Sequence, residues 1–120
     1  MKNTVLIVED AESTCKALNT MLTLNNYQVV GMAADGVQAV ELYKRLKPDL
    51  VLMDIAMPKK HGIDAIREIR DFDPEARFIA VTALYSAKKK KEALDAGASM
   101  VVVKPFDVAD LINAMESVLE

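Results

Sequence analysis

The chain has 120 residues, 52% of them apolar and 28% charged, with a net charge of −3 and a pI near 5.2. That suits one globular domain over residues 1–120, long enough to bury roughly two thirds of its unfolded surface without a disulfide or structural metal. The mild acidity argues against a domain-wide nucleic-acid or anionic-membrane surface, the single cysteine excludes an internal disulfide and a cysteine zinc site, and no apolar run approaches the ~20 residues of a membrane span. Met1-Lys2-Asn3-Thr4-Val5 enters an apolar stretch directly, without the long apolar region of a signal peptide, so the cytoplasm is the expected compartment.

Val5 to Val8 is a short apolar run ending in Glu9-Asp10, and such runs bounded by turn signals read as strands buried on both faces. From Glu12 to Leu24, Ala17, Leu18, Met21, Leu22 and Leu24 recur at helical spacing; Cys15 on this helix reads as a small buried residue. Tyr27 to Ala33 is a second strand, and Asp35-Gly36 turns the chain. Val37, Ala39, Val40, Leu42, Tyr43 and Leu46 mark a helix that must end before Pro48. Leu50 to Met53 is a third strand, stopping at Asp54. Ile63, Ile66 and Ile69 share one helical face, which Asp73-Pro74 ends. Phe78 to Val81 is a fourth strand, ending at Thr82. Ser86 to Ala96 reads as a helix with Ser86 as N-cap and Gly97 as its stop. Met100 to Val103 is a fifth strand, ending at Lys104-Pro105. Asp107 caps a last helix with an apolar stripe of Val108, Leu111, Ile112, Met115, Val118 and Leu119.

Strands and helices that alternate in this way predict an α/β fold: a doubly wound parallel sheet with helices on both faces. The common five-stranded arrangement is the flavodoxin-like order 2-1-3-4-5, with ligands at the carboxyl rim between strands one and three. Glu9, Asp10, Asp54, Thr82 and Lys104 all fall at predicted strand ends on that rim. Carboxylates brought together disfavour one another's ionisation unless a cation neutralises them. Oxygen donors without His or Cys suit Mg²⁺ or Mn²⁺. Lys104 and Thr82 suit phosphoryl oxygens, and the chemistry supported is attack by Asp54 on a phosphoryl donor, giving an acyl phosphate.

The chain resembles the receiver domain of two-component response regulators. The matching pieces are Leu6-Ile7-Val8-Glu9-Asp10, Pro48-Asp49-Leu50-Val51-Leu52-Met53-Asp54-Ile55-Ala56-Met57-Pro58 with Gly62, Val81-Thr82-Ala83, Gly97-Ala98 and Lys104-Pro105-Phe106. By position, the resemblance implies that Asp54 accepts phosphate from a phosphohistidine on a sensor histidine kinase or phosphotransfer protein. Glu9, Asp10, Asp54 and the Ala56 carbonyl would hold Mg²⁺, Thr82 and Lys104 would grip the phosphoryl oxygens, and Lys104–Pro105 is a candidate cis peptide. Output would pass through the fourth helix, fifth strand and fifth helix, without direct nucleic-acid contact or membrane insertion. The only catalysis implied is of the domain's own phosphorylation and dephosphorylation.

Several positions depart from the family pattern. Glu9 stands where many receivers have Asp. Val101 replaces the switch aromatic three residues before the lysine, so the loop after Thr82 is expected to carry the readout. Ala56 and Leu84, two residues after Asp54 and Thr82, are apolar and cannot orient an attacking water, which predicts a long-lived phosphoryl group; two loop residues chosen for packing is the rival reading. His61 reads as a solvated loop residue. Lys88 to Lys91 read as a solvated face or a docking patch, Tyr85 as a contact or a loop aromatic, and Met21, Met32, Met53, Met57, Met100 and Met115 as core or loop filler. A metal-dependent aspartyl-phosphate phosphohydrolase is the main alternative, but it calls for a second Asp at position 56. A flavin carrier calls for a Ser/Thr-rich loop where Glu9-Asp10 would repel phosphate. The last helix finishes at Glu120, as in a stand-alone regulator; a receiver trimmed from a transcription regulator or hybrid kinase would read the same.

Overall fold

Each apolar run becomes a strand and each 3.6-periodic stretch a helix in the computed structural model, which describes residues 3–55, 62–83 and 86–120. The strands are Thr4–Val8 (β1), Gln28–Ala33 (β2), Leu50–Asp54 (β3), Phe78–Thr82 (β4) and Met100–Val103 (β5). The helices are Glu12–Leu24 (α1), Gly36–Leu46 (α2), Gly62–Phe72 (α3), Ala87–Ala96 (α4) and Val108–Leu119 (α5). All strand pairs are parallel, in the order β2-β1-β3-β4-β5.

Side chains alternate across the sheet because successive strand residues face opposite ways. Leu6, Val8, Val51, Met53, Phe78 and Ala80 enter a core closed by α2, α3 and α4. Val5, Ile7, Leu50, Leu52, Ile79 and Val81 enter a second core closed by α1 and α5. The central strands β3 and β4 are buried along their whole length, as continuous apolar runs predict.

The helices differ from expectation in which residues they bury. In α1 the inward face is Cys15, Leu18 and Leu22; Ala17 and Leu24 are exposed. In α5, Leu111 and Met115 are buried, whereas Val108 is exposed and Ile112, Val118 and Leu119 are half-buried. Met32 is also exposed, because β2 is an edge strand. Tyr27 belongs to the end of α1 rather than to β2. Its N–H donates to the Leu22 carbonyl (3.0 Å) across Asn26, which takes the left-handed φ of 70°. Asparagine tolerates that conformation and closes the helix.

Caps set the other boundaries. The Asp35-Gly36 turn is a helix N-cap: the Gln38 N–H donates to Asp35 Oδ1 (2.8 Å), and Gln38 Oε1 accepts from the Ala34 N–H (3.0 Å). Ser86 Oγ accepts from the Lys89 N–H (3.1 Å), and Gly97 ends α4 at φ 130°. Asp107 Oδ1 accepts from the Asp110 N–H (2.8 Å). Asp107→Ala is therefore expected to lower stability by about 1 kcal/mol, seen as a lower urea midpoint at unchanged slope. An unchanged midpoint would show that the cap is idle. No helix among the described residues is long and apolar enough to cross a membrane.

Candidate functional site

Parallel register carries the strand ends to one rim. Val8 pairs with Met53, Asp54 with Val81, and Thr82 with Val103. One step further, the backbone is still tied down: the Glu9 N–H donates to Ala33 O (2.9 Å), the Ile55 N–H to Val81 O (3.2 Å), and the Lys104 N–H to Thr82 O (2.8 Å). Residues that are 95 apart in sequence, Glu9 and Lys104, meet there.

Glu9, Asp10 and Asp54 place one carboxylate oxygen each within 4.8 Å of one another. Glu9 and Asp54 are nearly enclosed, 5% and 8% exposed, and Asp10 lies at the surface. Thr82 is buried on the neighbouring strand end. The Lys104 ammonium sits 2.9 Å from Glu9 Oε1 and 3.7 Å from Asp54 Oδ2. Among the described residues, Glu9 Oε2 is buried without a hydrogen-bond donor. Burial, with the hydrogen bonding and charge of Asp54, pushes the Glu9 carboxyl up to about 7, against the pull of Lys104.

An oxygen-only donor set with one buried lone oxygen fits a hard divalent cation, whose charge would offset the crowding of carboxylates. Access exists on one side. A cleft of about 380 Å³ opens between the start of α1 and the end of β2, lined in part by Glu9, Asp10, Glu12 and Gln38. Cys15 also borders it but is buried, and burial raises its thiol pKa, which disfavours the reactive thiolate.

Two features of the rim escape a reading of residue types alone. One is the Glu9–Lys104 ion pair, whose only sequence signal is that Glu is one methylene longer than Asp. The other is Gly62 at the start of α3. A Cβ there would meet the Asp54 carbonyl oxygen and lie 2.6 Å from Ile55 Cα. Glycine thus lets α3 approach the end of β3. Of the switch candidates, Val101 is half-buried and packs into the α2–α3–α4 core. The Lys104–Pro105 peptide is cis. Ala56, Met57, Pro58, His61, Leu84 and Tyr85 lie outside the described residues.

The sequence profile of the response regulator receiver domain family matches residues 5–116. The chain belongs to that family. It is 44% identical to the chemotaxis protein CheY of Thermotoga maritima over 118 residues, 98% of each chain. It is also 44% identical to the protein CcdB of Bacillus subtilis over 115 residues, 96% of each. A chain of the solved CheX–CheY–BeF3–Mg²⁺ complex from Borrelia burgdorferi superposes with a TM-score of 0.95 at 38% identity, covering 98% of this chain and 90% of that one. This receiver is thus CheY-like and belongs to two-component signalling, in which receiver domains partner with kinases. It is a switch rather than a turnover enzyme.

Proposed function

We propose that this receiver takes a phosphoryl group onto Asp54 from the phosphohistidine of a sensor histidine kinase or phosphotransfer protein, and acts in the cytoplasm as one domain over residues 1–120. The observation that carries this reading is the convergence of Glu9, Asp10 and Asp54 oxygens within 4.8 Å, with the Lys104 ammonium 3.7 Å from Asp54. An Asp54 oxygen bonds to phosphorus as the phosphorus–nitrogen bond of the donor breaks and the imidazole departs. Glu9, Asp10, Asp54 and the Ala56 carbonyl would hold Mg²⁺ or Mn²⁺. The bound cation would supply charge neutralisation as the phosphoryl group transfers. Thr82 orients the phosphoryl oxygens by hydrogen bonding, and Lys104 offers a compact positive charge.

Output is proposed to pass through α4, β5 and α5, where exposed Leu94, Val103 and Val108 lie with the exposed Lys88 to Lys91. With Val101 in place of an aromatic, the loop after Thr82 is the proposed readout.

Incubation with Mg²⁺ and a small acyl phosphate tests the reading by intact-mass spectrometry. The expected result is one phosphoryl group per chain, absent when a chelator removes the metal. Sustained release of inorganic phosphate at many turnovers per chain would favour the phosphohydrolase instead. Absence of any label would remove the phosphoacceptor role.

A further inference from the structure

Lys104 does not divide its charge evenly between its two acids. Its Nζ donates to Glu9 Oε1 at 2.9 Å, a full hydrogen bond. Asp54 Oδ2 stands at 3.7 Å, beyond hydrogen-bond reach. The pair is shielded from water, with the Glu9 side chain 4% exposed and that of Lys104 24%, so its attraction is less screened than that of a surface pair, while burial of the carboxylate opposes it. The same carboxylate has its second oxygen buried without a donor, and one Glu9 oxygen lies within 4.8 Å of carboxylate oxygens of Asp10 and Asp54. Glu9 thus touches both proposed halves of the machinery: the amine directed at phosphoryl oxygens and the acids that suit a cation.

We propose that Glu9 is a positioning residue that latches Lys104, holding the amine away from Asp54 until the Glu9 carboxylate turns to a divalent cation and releases it. The inference rests on the reading of Glu9, Asp10 and Asp54 as the metal site. The side-chain length of Glu9 makes the latch possible. A carboxylate one methylene shorter at the end of β1 falls short of Lys104 and leaves Asp54 as the acid nearest to the amine. Lys104 and the cation then compete for one carboxylate, and linkage makes the competition reciprocal: what loosens the amine tightens the metal.

The test is a double-mutant cycle read as affinity for Mg²⁺ alone, by calorimetry at the same mildly alkaline pH for every protein. Wild type, Glu9→Asp, Lys104→Met and the double variant are compared. Removing the amine relieves general charge repulsion in both backgrounds, and that part cancels in the cycle. Lys104→Met is expected to tighten Mg²⁺ binding by about fivefold more when Glu9 is present than in the Glu9→Asp protein. In the wild-type protein, the ¹⁵N resonance of Lys104 Nζ is expected to shift as Mg²⁺ is added, a readout that survives if a variant folds poorly. The same fold-change in both backgrounds, or an unmoved Lys104 resonance at saturating Mg²⁺, overturns the latch while leaving the metal site intact. No Mg²⁺ binding by the wild type removes the metal site and the latch together.

Discussion

Asp54→Asn is expected to abolish labelling by a small acyl phosphate completely while leaving the fold intact. The substitution keeps side-chain shape, so the 8% exposed position at the end of β3 remains filled. It replaces the carboxylate oxygens with an amide that is a poor nucleophile at phosphorus. It also removes one of three acids whose oxygens lie within 4.8 Å. Two consequences of opposite sign follow. Metal affinity falls, because a hard cation loses a charged ligand. Fold stability in the absence of metal holds or rises, because Glu9 and Asp10 lose a like-charged neighbour. The check is a mass spectrum without the phosphoryl increment, alongside a urea midpoint at or above that of the wild type. Label persisting in the variant would place the acceptor on another residue of the rim, with Glu9 and Asp10 the first to examine. A collapsed midpoint would show instead that Asp54 is needed for folding.

The architecture is legible in the sequence because burial leaves a periodic trace. Val51 and Met53 face one core and Leu50 and Leu52 the other, so β3 has to be apolar throughout. Ile63, Ile66 and Ile69 face one way, so α3 has to repeat at helical spacing. Strand ends are legible for the same reason: a polar residue such as Asp54 or Thr82 stands out where the apolar run stops. The residues gathered at the rim follow from those ends and the strand order.

What escapes are distances that depend on side-chain reach and on the set of the sheet. Nothing in the residue types says that Lys104 lies 2.9 Å from Glu9 and 3.7 Å from Asp54. Edge position is equally hidden. Met32 looks like core filler by composition, but β2 has a neighbour on one side only, so Met32 is half exposed. Tyr27 looks like the first residue of a strand, yet its N–H is used to close α1. Val101 shows how an identity can be plain and its role not. Its place in the α2–α3–α4 core explains an apolar residue there, but not why the residue is small.

Gly62→Ala is expected to lower stability by about 1–3 kcal/mol and to slow Asp54 labelling by roughly tenfold or more. Two effects oppose each other at this position. Alanine is the better helix former, a gain of at most about 1 kcal/mol at the start of α3. Against that, the new Cβ meets the Asp54 carbonyl oxygen and would lie 2.6 Å from Ile55 Cα. Both are main-chain atoms of a buried strand end, so no rotamer change relieves the clash, and overpacking wins. The strand end has to shift, and the Asp54 side chain shifts with it relative to Glu9 and Lys104. Gly31→Ala is the matched control. Its Cβ would stand 2.9 Å from Leu46 Cδ1, the movable end of a side chain, on the edge strand β2. There the contacts, with Leu46 Cδ1 and, at 3.3 Å, Leu6 Cδ1, are ends of side chains rather than main chain, so the cost is expected to be smaller than that of Gly62→Ala with labelling unaffected. Urea midpoints and labelling rates of the two variants make the comparison. If both glycines tolerate alanine equally, then α3 does not press on the end of β3 and the rim is held by the sheet alone.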